Sequence, residues 1–160
     1  MKRNILLIYT GGTIGMNKSE NGYVPQAGFL QGLLNNIPVL DHDSMPRWEL
    51  LELNPLLDSS NMTVLDWNKI GSIIEQHYDH FDGFVILHGT DTMAYTASAL
   101  SFSLENLDKP VVITGSQIPL FEVRNDGLDN LLTSMMIAAE GKIREVAVCF
   151  SDKLMRGNRC

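Results

Sequence analysis

The sequence predicts a three-layer α/β fold, a mostly parallel sheet with helices on both faces. Three observations predict it. The segments 4–9 (NILLIY), 83–87 (GFVIL), 110–114 (PVVIT) and 145–150 (EVAVCF) are short, nearly continuous apolar runs. They lack the alternation of a strand with one wet face, so each reads as a strand covered on both sides. Segments of helical periodicity lie between them, and strand–helix alternation builds parallel βαβ units. Each run is followed by glycines, hydroxyls, amides or carboxylates, where ligand loops sit in open sheets of this kind.

In chain order, the strand at 4–9 leads into residues 10–26, a Gly-, Asn- and Ser-containing stretch too long for a passive connector. It reads as a loop, with 17–22 poorly ordered in the absence of ligand and Tyr23 either as a loop anchor or, as the loop's length favours, as a lid residue. Residues 27–35 read as a weak helix, and 48–53 alternate as a strand. Residues 63–79 are helical, with Thr63 and Asp66 as caps and Leu65, Ile70, Ile73 and Ile74 as an apolar stripe. The helix at 92–104 carries Ala94, Ala97, Ser98 and Ala99, small enough for close packing on a sheet. The helix at 125–140 is stopped by Gly141. Crossovers in such sheets are right-handed. Strand order is not written in the sequence, and a flavodoxin-like order is the expectation.

Composition narrows the function. The 160 residues suffice for one domain, and 44% hydrophobic with 19% charged residues is ordinary for a globular chain. A net charge of -7 argues against a nucleic-acid partner, which requires a basic face. No apolar run approaches the ~20 residues of a membrane span. Met1-Lys2-Arg3 is basic, but the apolar run from Ile5 to Tyr9 is too short for a secretion signal. Cys149 and Cys160 do not make a disulfide framework, so a reducing cytoplasm is expected. No Cys/His cluster has metal-ligand spacing. The eight methionines are scattered, as core filler is.

The strand ends carry the chemistry. Thr10-Gly11-Gly12-Thr13-Ile14-Gly15 follows the first strand. It is neither G-x-G-x-x-G nor a run closed by G-K-[ST], so both phosphate signatures fail. It reads either as a tight turn or as a loop that offers the Thr13 hydroxyl as a nucleophile. Asn54-Pro55 and then Asp58-Ser59-Ser60 follow the second strand, either as plain loop polarity or as a carboxylate cradle. His88-Gly89-Thr90-Asp91-Thr92 follows the GFVIL strand. Thr90, Asp91 or Thr92 would cap the next helix, while a carboxylate there also suits a substrate ammonium. His88 itself reads as a packed histidine. Gly115-Ser116-Gln117 and Ser151-Asp152 complete the rim.

These residues resemble the bacterial-type L-asparaginases. Thr10-Gly11-Gly12-Thr13-Ile14 and His88-Gly89-Thr90-Asp91-Thr92 look like that family's two signature motifs, in order and after buried strands. The likeness continues through Asp58-Ser59-Ser60, Thr114-Gly115-Ser116-Gln117-Ile118-Pro119, Asp126-Gly127, Asn130-Leu131 and Arg156-Gly157-Asn158-Arg159. The Tyr-Thr-Gly-Gly-Thr-Ile-Gly form looks more like the cytoplasmic type I branch. The resemblance implies Thr13 as nucleophile, Tyr23 as the lid tyrosine bonded to it, and Thr90 as the second catalytic threonine. It implies that Asp91 binds the substrate α-amino group and that Asp58, Ser59 and Ser60 hold its carboxylate. It also puts the Ser116 backbone near the scissile amide. L-asparagine and L-aspartate are the implied partners, in a homodimer or homotetramer without cofactor, metal, nucleic acid or membrane.

Family members are about twice as long, so residues 1–160 are expected to be the N-terminal domain, with the second, smaller domain absent. The family's catalytic lysine lies just beyond Arg159, and Lys153 is out of register for it. The 160-residue chain by itself is therefore expected to be inactive and prone to associate. Rival readings are the asparaginase-like subunit of a tRNA-dependent amidotransferase, a member leaning to glutamine, and a non-catalytic flavodoxin-like binding domain.

Overall fold

The computed structural model describes residues 2–20 and 22–160. Strands β1 (Asn4–Gly11), β4 (Arg47–Leu57), β5 (Gly83–Leu87), β6 (Val111–Thr114), β7 (Val146–Phe150) and β8 (Lys153–Arg156) form one sheet. Its order is β4-β1-β5-β6-β7-β8. The first five strands are parallel, and β8 closes the edge antiparallel to β7. Counted by chain order within the sheet, the arrangement begins 2-1-3-4-5, the flavodoxin-like order expected. The chain steps outward from β1 to β4, then crosses back to β5. The switch point therefore lies between the carboxyl ends of β1 and β5.

The apolar strands are explained by what covers them. Leu7, Tyr9, Val85, Leu87 and Val112 face α1 (Phe29–Leu34) and α4 (Gly127–Glu140), with Leu30, Leu34, Leu131 and Met135 packed between. Their neighbours Leu6, Ile8, Phe84, Ile86 and Ile113 face α2 (Val64–His77) and α3 (Met93–Ser103), over Ile70, Ile74, Ala97 and Leu100. Successive residues enter opposite layers, and each buried large side chain contributes about 1.5–3 kcal/mol. At the start of α2, the Asp66 carboxylate accepts the Thr63 backbone N–H and hydroxyl, each at 2.8 Å. Gly141 ends α4 at φ 66°.

Two expectations require correction. Residues 10–26 are not an unbroken loop. β1 continues to Gly11, Thr13–Gly15 is a 3-10 turn, and β2 (Met16–Ser19) pairs antiparallel with β3 (Gly22–Pro25). Most of the stretch expected to be disordered therefore has hairpin pairing; Asn21 lies outside the described residues. The hairpin pairs only with itself and keeps its side chains largely exposed, so no apolar periodicity marks it. Strand β8 is the second difference. Its turn is made by Ser151 and Asp152, both at positive φ, rather than by an Asn-Gly pair. Among the described residues, no helix is long and apolar enough to cross a membrane.

Candidate active site

The switch point is packed backbone to backbone. Gly12 has φ 91°, and a Cβ there would stand 2.5 Å from the Gly89 backbone N and Cα. A Cβ on Gly89 would stand 2.4 Å from Ser59 Oγ. Only glycine at both positions lets the loops after β1, β4 and β5 meet at one point. Thr13 and Thr90, both half-buried, are the residues next to these glycines, so their loops are neighbours on one rim.

The second and third loops are also bonded through side chains. Ser59 Oγ donates to Asp91 Oδ2 at 3.3 Å. Thr92 Oγ1 donates to the Ser59 carbonyl at 2.7 Å. Thr92 occupies the cap position of α3 without a side-chain cap bond, so the capping expected of 90–92 gives way to this cross-loop tie. Asp58 Oδ1 accepts the Ser60 N–H at 3.0 Å and shapes the turn at Ser59–Asn61. Ser59 is buried between the two loops, while Asp58 and Ser60 are exposed.

The loop after β6 is set from below by α4. Asp126 accepts the backbone N–H groups of Gln117 (2.9 Å) and Ile118 (3.0 Å). Asn130 donates to the Gly115 carbonyl and accepts the Ser151 N–H, both at 3.0 Å, bridging the ends of β6 and β7. Ser116 is fully buried and donates to the Ile118 carbonyl, so its side chain shapes the loop. The same segment reaches the first loop, where Leu120 N–H donates to the Ile14 carbonyl at 3.1 Å.

Tyr23, on β3, is half exposed and leans on Phe121 edge to face, with ring centroids 6.0 Å apart. Its hydroxyl donates to Glu122 Oε1 at 3.0 Å, and that carboxylate holds the phenol above its ordinary pKa. No hydrogen bond joins Tyr23 to Thr13 among the described residues. Glu122 escapes a reading of the sequence because the pair is separated by 99 positions and no local pattern announces it.

His88 is fully buried, as a packed histidine would be, and burial holds its pKa below the ordinary value. Its Nδ1 lies 2.6 Å from the Gly89 carbonyl, and its Nε2 lies 2.9 Å from Thr96 Oγ1. Thr96 Oγ1 in turn accepts the Trp67 indole N–H at 2.9 Å. Among the described residues, no group of three His, Cys, Asp or Glu side chains is placed to hold a metal ion.

A doubly wound domain whose glycine-packed, hydroxyl- and carboxylate-bearing loops converge at the switch point has its polar rim where open α/β sheets place their ligand loops. The chain belongs to the asparaginase family: the family model "Asparaginase, N-terminal" matches residues 4–160. It is 57% identical over 158 residues to L-asparaginase 1 of Escherichia coli (strain K12), covering 99% of this chain and 47% of that protein. The crystal structure of L-asparaginase I from Vibrio cholerae superposes with a TM-score of 0.92 at 54% identity, over 99% of this chain and 47% of that one. These type I relatives are the branch to which the first loop's sequence points. A glutamyl-tRNA(Gln) amidotransferase component from Methanopyrus kandleri is 36% identical over 151 residues, covering 91% of this chain and 32% of that protein. The chain spans about half the length of these two bacterial asparaginases.

Proposed function

We propose that this chain carries the N-terminal half of an L-asparaginase site, which hydrolyses the side-chain amide of L-asparagine to L-aspartate and ammonia. The observation that carries the reading is the packing of Gly12 on Gly89, which makes the Thr13 and Thr90–Asp91 loops neighbours at the switch point. Thr13 Oγ attacks the amide carbon. The C–N bond breaks, ammonia leaves with the hydroxyl proton, and an acyl ester remains on Thr13. Water then cleaves the ester, returning the hydroxyl and releasing aspartate. A threonine hydroxyl is a weak nucleophile and needs a base. Thr90 stands beside it to relay the proton, and in this family a lysine beyond Arg159 supplies the basic group. Such help is worth about 10²–10⁴-fold.

Asp91 accepts the substrate α-ammonium, and its bond from Ser59 fixes the carboxylate for that task. Ser59, Ser60 and Asp58 form the side of the site that receives the α-carboxylate. The Ser116 backbone lies against the scissile amide. Tyr23 closes over the substrate by exchanging Glu122 for Thr13. The reaction uses no cofactor or metal, and the enzyme works in the cytoplasm as a homodimer or homotetramer. Identity near 57% to an L-asparaginase, against 36% to an amidotransferase component, favours free asparagine over a tRNA-linked pathway. The test is ammonia release by the native protein carrying this chain. Asparagine should yield equal amounts of ammonia and aspartate, faster than glutamine yields its products. No ammonia from either amide would overturn the reading.

A further inference from the structure

We propose that His88, held by Thr96 and Trp67, is a positioning residue that sets the Gly89–Thr90 peptide plane and thereby aims Thr90 and Asp91 at the ligand. The inference rests on the function proposed above only for what Thr90 and Asp91 hold. The geometry itself is independent of that reading.

The loop has a built-in difficulty. Gly89 must lack a side chain because Ser59 and Gly12 occupy the space where one would stand. A glycine has the widest backbone freedom of any residue, so the bonds on either side of its α-carbon require an external restraint. The residue after it carries the hydroxyl and the next the carboxylate. A rotation of the Gly89–Thr90 peptide would therefore swing both groups off the rim.

The restraint is the imidazole one residue upstream. A carbonyl can only accept, so the 2.6 Å contact to the Gly89 oxygen places the ring proton on Nδ1. Nε2 is then the acceptor for the Thr96 hydroxyl at 2.9 Å. Thr96 Oγ1 has a lone pair left for the Trp67 indole N–H at 2.9 Å. The other acceptor within reach of the Thr96 hydroxyl is the Met62 sulfur at 3.8 Å, a weak and distant one, so the proton goes to Nε2 and the chain of bonds runs from α2 through α3 to the loop. His88 and Thr96 are both fully buried, so water does not compete for these bonds. The His88 backbone is anchored as well, its N–H donating to the Thr114 carbonyl at 2.8 Å. Burial keeps the ring neutral, which preserves Nε2 as an acceptor.

The test is made on the native protein with L-aspartate as probe, measured by calorimetry, and with NMR of the ring nitrogens and backbone amides. In the parent, His88 should show a protonated Nδ1 and an unprotonated Nε2. Thr96→Val and His88→Leu should each weaken L-aspartate binding about three- to tenfold, the span of one buried hydrogen bond. The double variant should lose little more than the worse single one, because both break the same chain of bonds. Thr96→Ser keeps the hydroxyl and His88→Asn keeps a donor near Nδ1, so both should recover part of the loss. Thr96→Val should also displace the Thr90 and Asp91 amide resonances. Lower thermal stability with unchanged aspartate affinity and unchanged Thr90 and Asp91 resonances would overturn the proposal, leaving His88 a packing residue. If the parent itself fails to bind aspartate, the asparaginase reading has failed. The positioning proposal then stands or falls on the ring tautomer and the two amide resonances.

Discussion

Tyr23 and Glu122 show what one side-chain pair adds to the site. The carboxylate accepts the phenol proton at 3.0 Å and so disfavours its loss. The folded-state pKa of Tyr23 is raised above its ordinary 10.0. The contact therefore adds stability below about pH 10, lost as pH rises through the folded-state value. Ring-carbon NMR should find Tyr23 titrating above its ordinary value, and Glu122→Gln should bring it back toward that value. A Tyr23 midpoint that ignores Glu122 would show the pair is not formed in solution. Asp91 is the second single residue on which the proposed mechanism depends. Asp91→Ala should raise KM for asparagine by about tenfold or more, since it leaves the substrate ammonium without its counter-charge. An unchanged KM would remove Asp91 from that role. The proposed roles of Thr13, Thr90, Asp91 and Ser59 can be expected from the sequence because each closely follows a legible strand. Those of Glu122 and Thr96 cannot, because their partners are joined to them only by the fold.

Among the elements, strands buried on both faces are the most legible. Residues 83–87 match β5 end to end, and the capping pair Thr63 and Asp66 marks the start of α2. The hairpin β2–β3 and the edge strand β8 are not legible, since both are short and largely exposed and leave no apolar pattern. Glycines separate the two kinds of element constraint. Gly71 lies inside α2, where an added Cβ would meet only Leu104 Cδ2 at 3.9 Å. Gly71→Ala should therefore stabilise the protein by about 0.5–1 kcal/mol, through lower chain entropy in the unfolded state. Gly12→Ala should do the opposite, losing about 1–3 kcal/mol as the methyl group strikes the Gly89 backbone at 2.5 Å. Urea unfolding of the two variants beside the parent checks both signs. A Gly12→Ala variant as stable as the parent would mean the two loops are not in contact.

At the scale of the molecule, the strand order brings separate motifs to one end of the sheet. Thr13 and Thr90 are 77 positions apart in the chain, yet β1 and β5 are adjacent and parallel, so the loops leaving them share one end of the sheet. The sequence carries the loops and the strands, but adjacency emerges only when the crossover past β4 is made, because apolar runs do not encode neighbours. The proposed mechanism turns on attack of Thr13 on the amide. The most direct measurement is Thr13→Ala in the native protein, assayed for ammonia release from L-asparagine and for L-aspartate affinity by calorimetry. A nucleophile makes its decisive interaction in the transition state, so its loss falls on kcat rather than on ground-state binding. With Thr13 as nucleophile, kcat should drop by more than about 10³-fold while the aspartate Kd stays within about threefold of the parent. Turnover near the parent's level with binding intact would contradict that role and move the nucleophile off Thr13.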